Sequence, residues 1–291
     1  MDNLRMTNTF GPMEGPAARS AAQTNPGDST LTSHEHERQI HQARHLKEHT
    51  AWLLRQARLL PGQQVLDIGS GLGDVALTAA EIVGPRGFVV GVDHSSVAVQ
   101  AARERALAAG VSNVEFVIGD VANLASHREY DAIVGRMIVM HLTEITTVLA
   151  NLRPHLRPGG LLALQECDLG QIATAPLCPY VECVKDWVIR AFTARGARVN
   201  AGRELHEYFV KSGYHPTGAV ASQPTFPATS SVGVEWLAAT ARSLAADIVD
   251  LGLCSAAELE VEPLAARMVD EQREHQAIAF GPRLVGVWAR I

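Results

Sequence analysis

The sequence predicts a doubly wound α/β domain, a parallel sheet with helices on both faces, preceded by N-terminal helix and followed by a helical cap. Three observations predict it. Short β-branched runs alternate with helix-period segments from Gln64 to Gln165. A glycine-rich turn joins the first run to the helix after it. An acidic residue stands at the end of each of the first three runs, where a parallel sheet presents its ligand-binding edge.

Taken in order, residues 1–33 are rich in Gly, Pro, Ser, Thr and Asn without an apolar run, which reads as a disordered tail and not as a signal peptide. From Ile40, apolar or small residues recur at helical spacing through Ala43, Leu46, Thr50, Leu53, Leu54, Ala57 and Leu60, and Pro61-Gly62 stops them. This leader segment spans 34–62. A core of 63–170 follows. Its strands are expected at Gln64–Ile68, Phe88–Val92, Val114–Ile118, Ala132–Val134 and Leu161–Gln165, with helices at Asp74–Val83, Ser96–Ala109 and Thr143–His155. Residues 171–275 change rhythm to helices near Tyr180–Ala194, Glu204–Ser212, Val234–Asp250 and Ala256–Glu274, with one core strand at Gly218–Ser222. Residues 276–291 supply a final core strand at Leu284–Ala289.

The chain has 291 residues, 47% apolar and 19% charged, with a net charge of -6 spread along its length. That balance offers no basic stripe for nucleic acid and no polybasic membrane patch. No apolar run is long enough for a membrane span. Cys167, Cys178, Cys183 and Cys254 form no CxxC pair, so they are expected as reduced thiols of a cytoplasmic protein, with neither disulfide nor zinc. His34, His36, His41, His45 and His49 cluster on the leader helix, the last three four residues apart. They lie away from its apolar stripe, and we read them as a solvated face or a lid over a cofactor and not as a metal site.

The chemistry concentrates at the strand ends. Asp67-Ile68-Gly69-Ser70-Gly71-Leu72-Gly73-Asp74 has the form GxGxG and not GxGxxG. Glycines let backbone approach a ligand closely, and Asp67 ahead of them suits a cationic amine, which favours adenosylmethionine over a dinucleotide. Asp93 ends the second strand and is a candidate for ribose hydroxyls. Asp120 ends the third, placed for the adenine amino group, with Val121 beside the ring. Each acid alone reads equally well as a helix cap. Together they describe one nucleoside ligand.

VLDIGSGLGD from Val65, VVGVD from Val89, VEFVIGD from Val114, and YDAIVGRMIVMHL from Tyr130 followed by LRPGGLLALQE from Leu156 resemble the class I S-adenosylmethionine-dependent methyltransferases of the ubiquinone/menaquinone-biosynthesis type. The resemblance covers about Ile40 to Glu166, and the carboxyl-terminal third only through the VGVWAR strand. It implies a Rossmann-like, mostly parallel seven-stranded sheet with a reversed last strand. It also implies S-adenosylmethionine as cofactor and S-adenosylhomocysteine as product. Carried onto this chain, Asp67, Gly69, Ser70 and Gly71 would hold the methionine part, Asp93 and His94 the ribose, and Asp120 and Val121 the adenine. Arg136 and His141 would lie where the family closes over the sulfonium.

In-line positioning of acceptor and methyl carbon supplies roughly 7–11 kcal/mol, whereas a placed base adds about 100- to 10,000-fold, so a strong base is not required. His141, Glu166 and Asp168 are the candidates for one, against plainer roles as a cap, a cofactor contact or a salt-bridge partner. Gly135-Arg136-Met137-Ile138 lacks the Asn/Asp-Pro-Pro-aromatic signature of amino-methylating nucleic-acid enzymes, and Cys178 precedes Pro179 in the cap instead of following a proline at the sheet edge. A small, partly apolar metabolite methylated on oxygen, nitrogen or carbon is therefore the expected acceptor. Tyr180, Trp187, Phe192 and Trp236 would either fill the cap core or line its pocket. Two other readings stay open, a nicotinamide-dependent oxidoreductase and a non-catalytic adenosylmethionine-binding protein. So does assembly, since the leader helix packs on its own sheet or exchanges with a neighbour in a homodimer or higher homo-oligomer.

Overall fold

β-Branched strands and alanine-rich helices assemble around a central sheet. A computed structural model of the chain describes residues 33–124, 128–259 and 261–291. Residues 1–32 of the tail expected over residues 1–33, and the side chains of His34, His36 and His41, lie outside the described residues.

The sheet has seven strands. β1 (Gln64–Ile68), β2 (Phe88–Asp93), β3 (Val114–Ile118), β4 (Tyr130–Arg136) and β5 (Leu156–Asp168) run parallel in the order β3-β2-β1-β4-β5. β10 (Arg283–Arg290) pairs antiparallel with β5 on one side and with β7 (Pro216–Ser222) on the other, so β10 is the reversed strand. The chain leaves β1 towards β2 and β3, then returns to its other side for β4 and β5. That reversal puts the topological switch point between β1 and β4, where open α/β sheets form a crevice at their carboxyl ends.

Strand periodicity sorts the core into two faces. Val65, Val89, Ala132, Val134, Leu161 and Ala163 pack with α2 (Asp74–Val83), α3 (Ser96–Ala108) and the end of α1 (Ser33–Gln56). Leu66, Ile68, Val90, Val92, Ile133, Leu162 and Leu164 pack with α4 (Ile145–Asn151) and α6 (Ala201–Lys211). A sheet buried on both faces needs apolar residues at both parities, which is why these strands read as continuous apolar runs.

The cap has its own core, built by α5 (Pro179–Ala194), α7 (Val232–Ser243), α8 (Ala245–Asp250) and α9 (Val261–Glu274). Trp187 and Trp236 are buried in it, and Tyr180 stacks edge-on against Trp187, so these aromatics are cap core. Three strands that the sequence reading missed, β6 (Ala173–Ala175), β8 (Thr225–Phe226) and β9 (Ile278–Phe280), form a second antiparallel sheet in the order β6-β9-β8. The helix expected over Val234–Asp250 is two helices that meet at Leu244. That expected over Ala256–Glu274 is a 3-10 turn, Ala256–Leu259, followed by α9. Among the described residues, no helix is long and apolar enough to cross a membrane.

The leader helix docks. Leu53 fills the space where a Cβ on Gly286 would sit, 2.4 Å from the nearest methyl, and Lys47 pairs with Glu81. The histidine face is a correction to the solvated reading. His45 packs edge-on against Phe226, and His49 Nδ1 lies 2.8 Å from Ser222 Oγ, where burial lowers its pKa.

Candidate active site

The site grows from the turn between β1 and α2. Gly69 and Gly71 adopt left-handed backbone, φ 65° and 49°, which side chains other than glycine rarely tolerate. A Cβ on Gly69 would stand 2.6 Å from Ile138, whereas one on Gly71 would meet open space. The turn thus carries bare backbone to the sheet edge. Beneath it Asp67 is fully buried, and among the described residues neither of its oxygens, nor the buried Ser70 Oγ, has a hydrogen-bond partner. Burial pushes the Asp67 pKa well above the usual carboxylate range, against the opposing pull of the Arg136 guanidinium and the Ala76 amide.

Asp93 closes the turn from the neighbouring strand. Its Oδ2 accepts the Gly71 N–H at 2.8 Å and its Oδ1 the Ser95 N–H at 2.9 Å. Each oxygen keeps a second lone pair, so the clasp fixes the carboxylate without exhausting it. His94 Nδ1 lies 3.6 Å from Asp93 Oδ1, with its side chain mostly exposed. Asp120 is exposed and caps the 3-10 turn Val121–Asn123, accepting from the Ala122 N–H at 2.9 Å and from Asn123 Nδ2 at 2.8 Å. Val121 is buried against the α4 side of the sheet.

Past β4 the chain turns sharply. Met137 takes a left-handed φ of 54°, an uncommon conformation for a side-chain-bearing residue and one that concentrates at functional sites. Its N–H is held by Gln165 O at 2.9 Å, and Gln42 of the leader helix donates to its sulfur at 3.3 Å. Glu166, fully buried at the end of β5, accepts the Val139 N–H at 2.6 Å and leaves its second oxygen unpartnered. Burial raises its pKa to about 8, opposed by the amides of Val139, Ile138 and Met140. Glu166 therefore fixes the 3-10 turn Val139–His141, at whose exposed end stands His141.

Asp168 is held on both of its oxygens. Its Oδ1 accepts the Arg203 N–H at the start of α6, its Oδ2 accepts from Arg283 of β10 at 2.9 Å, and it is fully buried. Both oxygens are engaged in tying elements together, the arrangement of a structural anchor. Sequence reasoning also missed Thr50 and Gln165, which join the leader helix to β5 through a buried 2.8 Å hydrogen bond at the edge of the site. Thr50 carried no signal beyond helical spacing, because a small polar residue on an apolar stripe reads as neutral.

The geometry fits a nucleoside that carries an amino acid. Asp67, Asp74 and Asp93 stand around two guanidinia, Arg105 and Arg136, so acidic and basic groups meet at one place.

Comparison with known proteins agrees with this geometry. The family model described as a methyltransferase domain matches residues 59–209. Arsenite methyltransferase of Halobacterium salinarum is 34% identical over 121 residues, covering 41% of this chain and 30% of that protein. The ubiquinone/menaquinone biosynthesis C-methyltransferase UbiE of Coxiella burnetii is 26% identical over 169 residues, covering 56% of this chain and 66% of the other. The chain thus spans less than two thirds of the length of these curated relatives. Among solved structures, the YcgJ protein of Bacillus subtilis superposes with a TM-score of 0.55 at 18% identity, over 84% of this chain and 98% of that one, which shows a shared fold.

Proposed function

Since this chain belongs to the methyltransferase-domain family, we propose that it transfers a methyl group from S-adenosylmethionine to a small, partly apolar acceptor and releases S-adenosylhomocysteine. The observation that carries the reading is the pair of buried, unpartnered polar groups, Asp67 and Ser70 Oγ, beside a left-handed glycine turn. Unsatisfied buried polar atoms are costly, and a ligand ammonium and backbone-sized groups at this turn would satisfy them.

In this assignment Asp67, Gly69, Ser70 and Gly71 hold the methionine part, the free lone pairs of Asp93 with His94 meet the ribose, and Asp120 with Val121 meets the adenine. S-adenosylmethionine supplies a methyl group on a sulfonium that departs as a neutral thioether. The chain's own contribution is placement. Asp93 pins the glycine turn and Glu166 pins the turn bearing His141, so that the residues assigned to the donor are held in place. His141 is the base candidate that the geometry favours, because it is exposed at the rim whereas Glu166 is committed to a backbone amide.

The acceptor is read by the cap. The family match ends at residue 209, and the two relatives carry names with unlike acceptors, arsenite and a quinone precursor pathway, so the shared region tracks the donor. Calorimetric titration of the chain with S-adenosylhomocysteine tests the reading. Saturable uptake is expected, reduced by about tenfold or more in Asp93→Ala. No uptake overturns the proposal, and uptake without turnover across oxygen, nitrogen and carbon acceptors makes the protein a binder.

A further inference from the structure

Asp67 and Arg136 stand on adjacent strands at the switch point between β1 and β4. Asp67 is in register with Val134, so Arg136, two residues farther along, shares the parity that faces α1 and α2. The two side chains sense each other electrostatically yet form no hydrogen bond. Arg136 is nine-tenths buried, at 7% side-chain exposure. A guanidinium has five N–H donors, and among the described residues this one donates a single hydrogen bond, from Nη1 to Thr50 Oγ1 at 2.9 Å. Its Nη2 stands 3.9 Å from Asp74 Oδ2, too far for a hydrogen bond. Arg105 takes the nearer place on Asp74, at 2.6 Å, and also donates to Leu72 O.

A fold that needed only a buried ion pair would close Asp67 and Arg136 onto each other in a bidentate fork. Here a carboxyl and a guanidinium are buried side by side, the first without a hydrogen-bond partner among the described residues and the second with one, which matches a ligand that carries both charges. A place for Arg136 against the sulfonium is disfavoured by like charge. Resting on the donor reading above, we propose that Arg136 receives the α-carboxylate of the donor's amino-acid part, so that Asp67 and Arg136 together read a zwitterion, with Thr50 of the leader helix as the positioning residue.

Thr50 is placed to do this. Its hydroxyl donates to Gln165 Oε1 at 2.8 Å, which turns its lone pairs towards Arg136. At 2% exposure it has no water to take over the task. The leader helix therefore orients the guanidinium, and its docking is coupled to recognition of the carboxylate.

The test is titration of the full chain with three nucleosides: S-adenosylhomocysteine, its decarboxylated aminopropyl analogue, and 5′-methylthioadenosine, which lacks the amino-acid part. The unmodified protein is expected to prefer S-adenosylhomocysteine to the decarboxylated analogue by about tenfold or more. Arg136→Gln should erase that preference and leave the decarboxylated analogue within about threefold of its original affinity. Thr50→Val should reduce the preference by several-fold while retaining uptake of methylthioadenosine. Equal affinity of the unmodified protein for both amino-bearing ligands overturns the proposal. So does an Arg136→Gln protein that weakens both in proportion while still binding methylthioadenosine. If Arg136→Gln does not fold, seen as loss of methylthioadenosine uptake with loss of cooperative unfolding, the preference of the unmodified protein and of Thr50→Val decides. Failure of the unmodified protein to bind any of the three removes the donor reading itself, a different result from binding without discrimination.

Discussion

Asp67 and Glu166 are both fully buried carboxyls at strand ends, yet their surroundings give them different tasks. Burial raises the Asp67 pKa well above the usual carboxylate range, against the pull of the Arg136 guanidinium and the Ala76 amide. A ligand ammonium opposes that shift and favours the ionised carboxylate. Binding of S-adenosylhomocysteine is accordingly expected to release up to about one proton, measured by calorimetry in buffers of different ionisation enthalpy, and Asp67→Asn should abolish the release. Identical heats across buffers would contradict this account. Glu166, with a folded pKa of about 8 against 4.5, binds its proton more tightly in the folded chain than in the unfolded one. Its contribution to stability is therefore full below pH 4.5 and is lost as pH rises towards 8. Glu166→Gln keeps an oxygen for the Val139 amide and cannot ionise, so urea midpoints should show its stability relative to the unmodified protein improving between about pH 5 and about pH 8. A difference that does not change with pH would place the titration elsewhere. Asp67, Asp93 and Asp120 were legible in the sequence because strand ends followed by Gly or a helix start are local patterns. The commitment of Asp93 to Gly71 and Ser95, and of Glu166 to Val139, was not, since each joins segments distant in the chain.

At the scale of elements, the strands of the central sheet were legible because burial on both faces writes long apolar runs, and α2 and α3 because their ends carry turn and cap residues. The 3-residue strands β6 and β9 and the 2-residue β8 are too short to show any period, and they exist by pairing with one another across the cap. The long helix expected over Val234–Asp250 breaks at Leu244, where no Gly or Pro announces it. α5 shows how tertiary contacts supply what its own sequence lacks. Its N-cap position is Cys178, which makes no side-chain cap. Glu271 of α9 serves instead, its carboxylate accepting the N–H groups of Tyr180 and Val181 at 2.9–3.0 Å. Charge at a helix N-terminus is favourable, and removing a capping acceptor costs about 0.5–2 kcal/mol. Glu271→Ala should therefore lower the urea stability of the chain by about 1 kcal/mol, with Glu271→Gln between the two. An unchanged midpoint would show that water caps α5 equally well.

Over the whole molecule, the proposed function assigns donor and acceptor to different bodies of structure. The family match covers β1 to β5 and runs through α5 and into α6, whereas α7, α8 and α9 of the cap lie beyond it. Two joints hold them together. The leader helix is one, with Leu46 in the cap core, Leu54 in the sheet core and Thr50 between them. Asp168 is the other. It ends β5, accepts the first turn of α6 and pairs with Arg283 where the chain leaves β9 for β10. If Asp168 were the base, its removal would abolish turnover and leave stability intact. As an anchor it predicts the reverse order of effects. Removing one partner of a buried pair costs about 3–5 kcal/mol, and Arg283, whose side chain is 38% exposed, places the loss near the lower end. Asp168→Ala should lose about 3 kcal/mol in urea unfolding, and Asp168→Asn, which keeps an acceptor for the Arg203 amide, clearly less. Both should still take up S-adenosylhomocysteine where they remain folded, because Asp168 touches none of the groups assigned to the donor. A stable but inactive Asp168→Asn would return this residue to the chemistry and leave the joint between β5, α6 and β10 to be explained by packing alone.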